Sequence, residues 1–482
     1  MTDSHHVHSH PGLADLLSYP LMTALVERRT RRVARGVSLE AGALSHKSTN
    51  DPFPLTPLEE AVLVVTATGV TGLTMHDGPL TKPDGSPELG TPFLNVVART
   101  GSSADNCQAT SFFMINDDGM FLLRFPRGRE AVELLKDLPP RWADWTEEDW
   151  LHAAERSKVR VGDRRMEAPR EWPYYLGWNA QHSNVPGSTI FFPVVDCTWQ
   201  YINGLLIIAA EPQKKRMMFV DDWRRFHPNG LYEWAAKIGG KIGLTPDIPF
   251  HPIGGLKWLR KKFVSTESIG PLGFGNTLRT DYGCFLYMQN LMLVAQALGI
   301  GGWIHGSIFP PYVYQRDEAN GIYGLGFRFQ QPKTLKPMAP IPASQPNPIG
   351  IDKVFESLTP PYVANMDEAV DRVIEMKFGA SGGGYGDKEV FPRSYRKSSQ
   401  AQAFEEKAER FSDDCIAYVK DICNYLYNTY GRFPAHVDAY YTPGVWLQFH
   451  HLEMEYYDKF FKAGLYSKQA DHDGVWHDGG QS

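Results

Sequence analysis

Cysteine is scarce in this sequence, with five residues in 482: Cys107, Cys197, Cys284, Cys415 and Cys423. The number is odd and no two form a Cys-x-x-Cys pair. Both facts argue against a disulfide scaffold and against a cysteine-based zinc site. A basic excess is also missing. Lys and Arg total 49 against 55 Asp and Glu, a net charge of -6, so there is no electrostatic case for nucleic acid. No uninterrupted apolar run reaches the roughly 18 residues that a membrane-spanning helix needs. The first ten residues are polar and His-rich and lack the apolar stretch of a secretory signal. A reducing, cytoplasmic setting is the expectation.

The chain does have the material of a large core. Hydrophobic residues make up 42% and charged residues 22%, the usual balance of a globular protein. At about 150 residues per domain, the length predicts two or three domains or one elaborated domain. Residues 1–12 are expected to be a disordered tail, with His5, His6, His8 and His10 in no fixed site. Leu13, Leu17, Leu21 and Leu25 keep helical spacing and predict a helix over 13–34. Thr56 as cap, Pro57 at the first position and Glu59 and Glu60 in the first turn start a second helix, which stops at Gly69. Apolar runs at 111–115 and 120–124 flank Asn116-Asp117-Asp118-Gly119, which predicts a β-hairpin. Residues 189–195 read as a strand, and 203–210 as a buried strand or helix. Phe285, Met288, Leu291, Met292, Ala295 and Leu298 define an apolar face on a helix over 281–298, closed by Gly299. Residues 400–428 read as one further helix.

Two segments carry chemistry. Arg28-Arg29-Thr30-Arg31-Arg32 gathers four guanidinium groups and a hydroxyl at a helix end. A phosphate dianion wants such donors. Taken alone, the cluster equally describes a solvated basic helix end that complements the helix dipole. The loop 100–108, with Ser102, Ser103, Asn106 and Gln108, is small and polar and precedes a strand. It offers N–H groups, hydroxyls and amides of the kind the pyrimidine edge of an isoalloxazine ring needs. An ordinary polar loop has the same composition. The order of these segments is more telling. The arginine cluster ends a first helix and the Ser/Asn/Gln loop leads into a strand. Gln289-Asn290-Leu291 through Ala297-Leu298 then runs to Gly299-Ile300-Gly301. In this order the chain resembles the FMN-dependent nitroreductase superfamily. Leu55 to Glu60 and Ala67-Thr68-Gly69-Val70-Thr71 are similar to the subgroup that includes azoline oxidases of peptide biosynthesis.

The resemblance implies an α+β fold: a central, mostly antiparallel sheet flanked by helices, dimeric, with FMN at the interface. It divides the chain into a core of 13–125 and 275–330, an inserted cap of 126–274 and a C-terminal extension of 331–482. By position, Arg28, Thr30 and Arg32 fall to the FMN phosphate and the ring's pyrimidine edge, and Arg29 to a backbone and phosphate contact. Ser102, Ser103, Asn106 and Gln108 fall along the ring, partly from a second subunit. Gly301 and Gly302 fall beside the flavin, and Arg328 falls near the phosphate. The implied activity is an FMN-dependent oxidoreductase passing hydride or electrons through flavin N5. It would be an NAD(P)H-driven reductase, or a dehydrogenase or oxidase on a small-molecule or peptide-like substrate.

Two other classes stay open. His436, Asp438, His450 and Glu453 supply imidazoles and carboxylates dense enough for a metal-dependent enzyme. His450 with Glu453, and His451 with Glu455, would share faces of one helix, which also describes a surface ion-pair face. No His-Glu-x-x-His pattern occurs. The last class is a non-catalytic flavin-fold binding protein.

Overall fold

In the computed structural model the described residues are 10–69, 71–77, 83–85, 93–210, 216, 218–221, 248–249, 255–265, 272–330, 347–408, 410–433, 440–441 and 444–477. His5, His6, His8, His436 and Asp438 lie outside them, and so do the expectations placed on those residues.

The helix expected over 13–34 is two helices, α1 (Pro11–Ser18) and α2 (Leu21–Glu27). Pro20 separates them, since it has no N–H to donate and it biases Tyr19 away from the helical region. Leu13 is buried, but Leu17, Leu21 and Leu25 are exposed. Helix α3 (Pro57–Thr68) starts at a capping box. Glu59 N donates to Thr56 Oγ1, and Thr56 N donates to Glu59 Oε2 at 2.6 Å. Every residue of α3 from Leu58 to Thr68 is buried.

The expected hairpin is present as β1 (Thr110–Asn116) and β2 (Gly119–Leu123). Next come α4 (Gly128–Asp137), α5 (Glu147–Ser157), β3 (Lys158–Gly162), β4 (Thr189–Asp196) and α6 (Thr198–Ala210). The long helix α7 (Leu272–Leu298) leads into β5 (Gly301–His305). Then follow α8 (Met366–Phe378), α9 (Ser398–Lys407) and α10 (Asp413–Tyr430). The single helix expected over 400–428 is thus two, because Ser412 caps a new start by accepting from Cys415 N. The chain ends in β6 (Tyr440–Tyr441), β7 (Trp446–His450), α11 (Met454–Phe460) and α12 (His472–Trp476), with a short turn of helix before the last.

Among the described residues seven strands form the central sheet in the order β3-β2-β1-β4-β7-β5, with β6 beside β4. Every pairing in it is antiparallel. Strand β7 lies between β4 and β5, with Leu447 opposite both Phe191 and Ile304. Residues 126–274, expected to form a cap, supply α4, α5, β3, β4 and α6, and the expected C-terminal extension supplies the central β7.

The strands read as continuous apolar runs because both faces of the sheet are covered. Phe112, Met114, Phe191, Leu447 and Phe449 pack against α3, α5 and α7. On the opposite face Phe113, Ile115, Phe192 and Trp446 pack beneath irregular chain that includes Tyr175, Ile308 and Phe327. Helices α6, α8 and α10 share a second core. Among the described residues, no helix is long and apolar enough to cross a membrane.

Two of the buried histidines pack against aromatic rings. His305 on β5 stacks on Trp303 with ring centroids 3.9 Å apart, and burial pushes its pKa down to about 3. His76 sits among the rings of Phe93, Tyr385 and Phe391 at 5.0–5.4 Å, and burial pushes it down to about 4. An ordinary histidine titrates near 6.5. The unfolded chain therefore binds more protons than the folded one below that pH. The stability these rings permit is complete above pH 6.5 and is lost as pH falls toward 4. Between pH 6 and 4.5 each histidine is expected to cost about 1.2 kcal/mol per pH unit. Urea denaturation of His76→Leu beside the parent measures this. The variant's stability should fall less steeply by that amount, and parallel slopes would disprove it.

Candidate metal centre

The capping box that starts α3 also places a carboxylate inside the protein. Glu59 turns back toward Thr56 N and is fully buried. Three imidazoles meet it. His451 follows β7, His472 opens α12 and His477 follows α12. Their Nε2 atoms lie 3.3, 2.7 and 3.2 Å from Glu59 Oε1. One donor atom from each of the four residues can be chosen so that all lie within 4.8 Å of one another.

The outer nitrogens are fixed as well. His451 Nδ1 is 3.0 Å from the Phe53 carbonyl, and His472 Nδ1 is 2.8 Å from the Leu298 carbonyl at the end of α7. A carbonyl only accepts, so each of these Nδ1 atoms carries its hydrogen. In the neutral ring the lone pair is then on Nε2, aimed at the carboxylate. His477 Nδ1 is 3.4 Å from Asp473 Oδ1, the same arrangement with a carboxylate outside. Lone pairs facing an anion need a cation among them, either added protons or a metal ion. Burial alone would raise the Glu59 pKa, but the hydrogen bonds from His451, His472 and His477 hold it well below the usual carboxylate range. His477 is raised, chiefly by its bond to Glu59.

The cluster borders a polar cleft of about 220 Å³. His451 and His472 line it together with Arg35, Asn50, Glu455 and Asp473. Glu453 lies nearby, with Glu455 and His46. It accepts from Gly36 N at 2.8 Å, Ser48 Oγ at 2.5 Å and Asn50 Nδ2 at 2.8 Å. A carboxylate occupied in this way ties the 36–50 segment to the C-terminal chain.

The residues singled out from the sequence are spread over the molecule. Arg29, Thr30 and Arg32 are exposed, Arg28 is half-buried, and Arg32 lies 5.8 Å from the Trp303 ring. Arg31 is the structural member of the group, donating to Gln296 Oε1 and the Leu465 carbonyl. Its backbone N–H bonds Gly302 O, which brings the cluster beside Gly301 and Gly302 on β5. Ser102 and Ser103 pack near Gly283, toward the other end of α7. From Gly283 to Gln296 the helix rises about 20 Å. Asn106 and Gln108 bond within their own surroundings. Asn106 Nδ2 donates to the Asn95 and Val97 carbonyls, and Gln108 accepts from Tyr287. Asp105, Asn106 and Gln108 have φ of 53°, 46° and 51°, a concentration of left-handed backbone in one loop. Arg328 is exposed and 3.5 Å from Asp352.

The expected helical pairing of His450 with Glu453 does not occur. His450 ends β7 and is fully buried, while Glu453 precedes α11. His451 likewise sits outside the helix that holds Glu455. The metal-type cluster therefore uses His451 in place of His450. It also uses Glu59, His472 and His477, none of which the sequence patterns marked as ligands. The sequence signals were slight: a histidine-rich tail and an acid at a helix start. No protein-family model matches the chain, and no curated protein matches it.

Proposed function

We propose that this chain is a metal-dependent enzyme whose centre is Glu59, His451, His472 and His477. The observation that carries the reading is the convergence of three Nε2 atoms on one buried carboxylate while their Nδ1 atoms face outer acceptors. Outer hydrogen bonds of this kind fix the tautomer and orientation of metal-ligating histidines. In a tetrahedral zinc site, bonds of about 2.1 Å put neighbouring ligand atoms about 3.4 Å apart, close to the separations from Glu59 Oε1. An all-nitrogen and oxygen donor set suits zinc or a similar divalent transition ion. A bound ion supplies Lewis-acid chemistry and an acidified water. The protein's own part is to keep Glu59 ionised, to hold the three rings and to admit substrate from the cleft. Arg35 there favours an anionic or carbonyl-bearing substrate. Metal analysis of the full chain after exposure to equimolar zinc tests the reading. It expects one ion per chain, and a drop of at least about tenfold in affinity for His472→Ala. A parent protein that retains no ion would overturn it.

A second reading is favoured by exposed apolar side chains on two helices. Leu21, Met22, Leu25 and Val26 on α2, with Tyr282, Phe285 and Leu286 on α7, are exposed. Large apolar side chains in such numbers fit an interface. Two copies of the chain joined there would bring the Arg28, Arg29, Thr30 and Arg32 end of one toward the Ser102 and Ser103 end of the other. FMN would sit between them, with NAD(P)H as the electron donor. Purified protein should then be a yellow dimer, and the Arg28→Ala/Arg32→Ala variant should lose its flavin absorbance. A colourless monomer that cannot be reconstituted with FMN refutes this.

A further inference from the structure

A second cavity, of about 280 Å³, shares no lining residue with the metal cleft. It lies where the 107–111 segment, the start of α6 and residues 354–356 meet. The volume falls just below the range of about 300–1,000 Å³ typical of drug-sized ligands. Its walls are mainly apolar and aromatic: Leu122, Phe125, Trp199 and Phe355. Two opposite charges lie among them, Arg127 and Asp196.

Neither charge has its full set of hydrogen bonds among the described residues. The Arg127 guanidinium lies over the Phe125 ring at 4.4 Å and makes no hydrogen bond among the described residues. Burial lowers its pKa to about 10. Asp196 is nine-tenths buried. It accepts from Thr198 N and Thr198 Oγ1, both through Oδ1, which leaves Oδ2 without a hydrogen-bond partner among the described residues. Burial pushes its pKa up to about 6. Other lining charges are engaged elsewhere. Arg124 pairs with Glu130 at 2.6 Å, Glu356 accepts from Lys353 N, and the neutral Gln200 donates to Asp105. A half-buried guanidinium and a buried carboxylate without hydrogen bonds to each other are incompletely solvated as they stand. Each can be completed by a ligand carrying the opposite charge.

We infer that this cavity is a binding site for an apolar α-amino acid zwitterion. The carboxylate would meet Arg127, the ammonium would meet Asp196, and the side chain would lie against Leu122, Phe125, Trp199 and Phe355. A simple carboxylate would leave Asp196 unpaired and a simple amine would leave Arg127 unpaired, so both ends are read together.

Titration calorimetry on the full chain tests this with L-phenylalanine, 3-phenylpropionate and 2-phenylethylamine as probes. The inference expects one phenylalanine per chain. Each probe lacking a charge should bind at least about tenfold more weakly, the scale of one lost charged hydrogen bond. Arg127→Ala and Asp196→Asn should weaken phenylalanine similarly while circular dichroism stays that of the parent. If those variants do not fold, Val354→Trp fills the cavity from its partly exposed rim and should abolish binding. Absence of phenylalanine binding at millimolar concentration would overturn the inference. So would 3-phenylpropionate binding as tightly, or binding retained in Val354→Trp.

Discussion

A single buried carboxylate organises the structure. Glu59 caps the helix that runs through the core, and its oxygens meet three imidazoles drawn from the last stretch of the chain. An ionised group out of water is tolerated only when partners surround it. The position of the C-terminal chain follows from that demand. His451 brings in the end of β7, and His472 and His477 bring in α12. His472 also binds the last carbonyl of α7, a group the helix itself leaves open. One cluster thus joins the start of α3, the end of α7 and both ends of the C-terminal segment.

The sheet shows a similar dependence on remote chain. Strand β7 lies between β4 and β5, so the residues after 440 complete the sheet instead of decorating it. The chain just beyond β7 also meets the arginine segment. Arg35 N donates to His451 O, and Glu453 N donates to Val33 O. The arginine cluster, the Gly301 and Gly302 strand and the metal-type cluster are therefore neighbours. A flavin held between two copies and a metal held within one copy use different groups, so the two readings can be judged separately.

Local rules carried well where the signal was local. Thr56, Pro57 and Glu59 predicted the start of α3, and Asn116 to Gly119 predicted the hairpin. They failed where a distant partner decided the outcome. Strand β7 (Trp446–His450) has both faces covered, so it lacks the alternation of a half-buried strand, and the His/Glu spacing after it imitates a helix face. Phe285 keeps helical register with the α7 core residues, yet it is 44% exposed, because register shows periodicity but not whether a partner exists. The centre itself was beyond local reading. Glu59 and His472 are 413 residues apart, and no spacing rule joins them. Glu59 was legible only as a capping acid, one of the two roles it has.

The central claim is that a metal ion, and not protons alone, occupies the space between Glu59 and the three imidazoles. X-ray absorption at the zinc edge of the zinc-loaded protein tests it most directly. The account predicts a first shell dominated by nitrogen and oxygen at about 2.0–2.1 Å, with the outer-shell scattering of three imidazoles, and loss of one imidazole in His477→Ala. A shell of six waters, or a spectrum unchanged in His451→Ala, His472→Ala and His477→Ala, would contradict it.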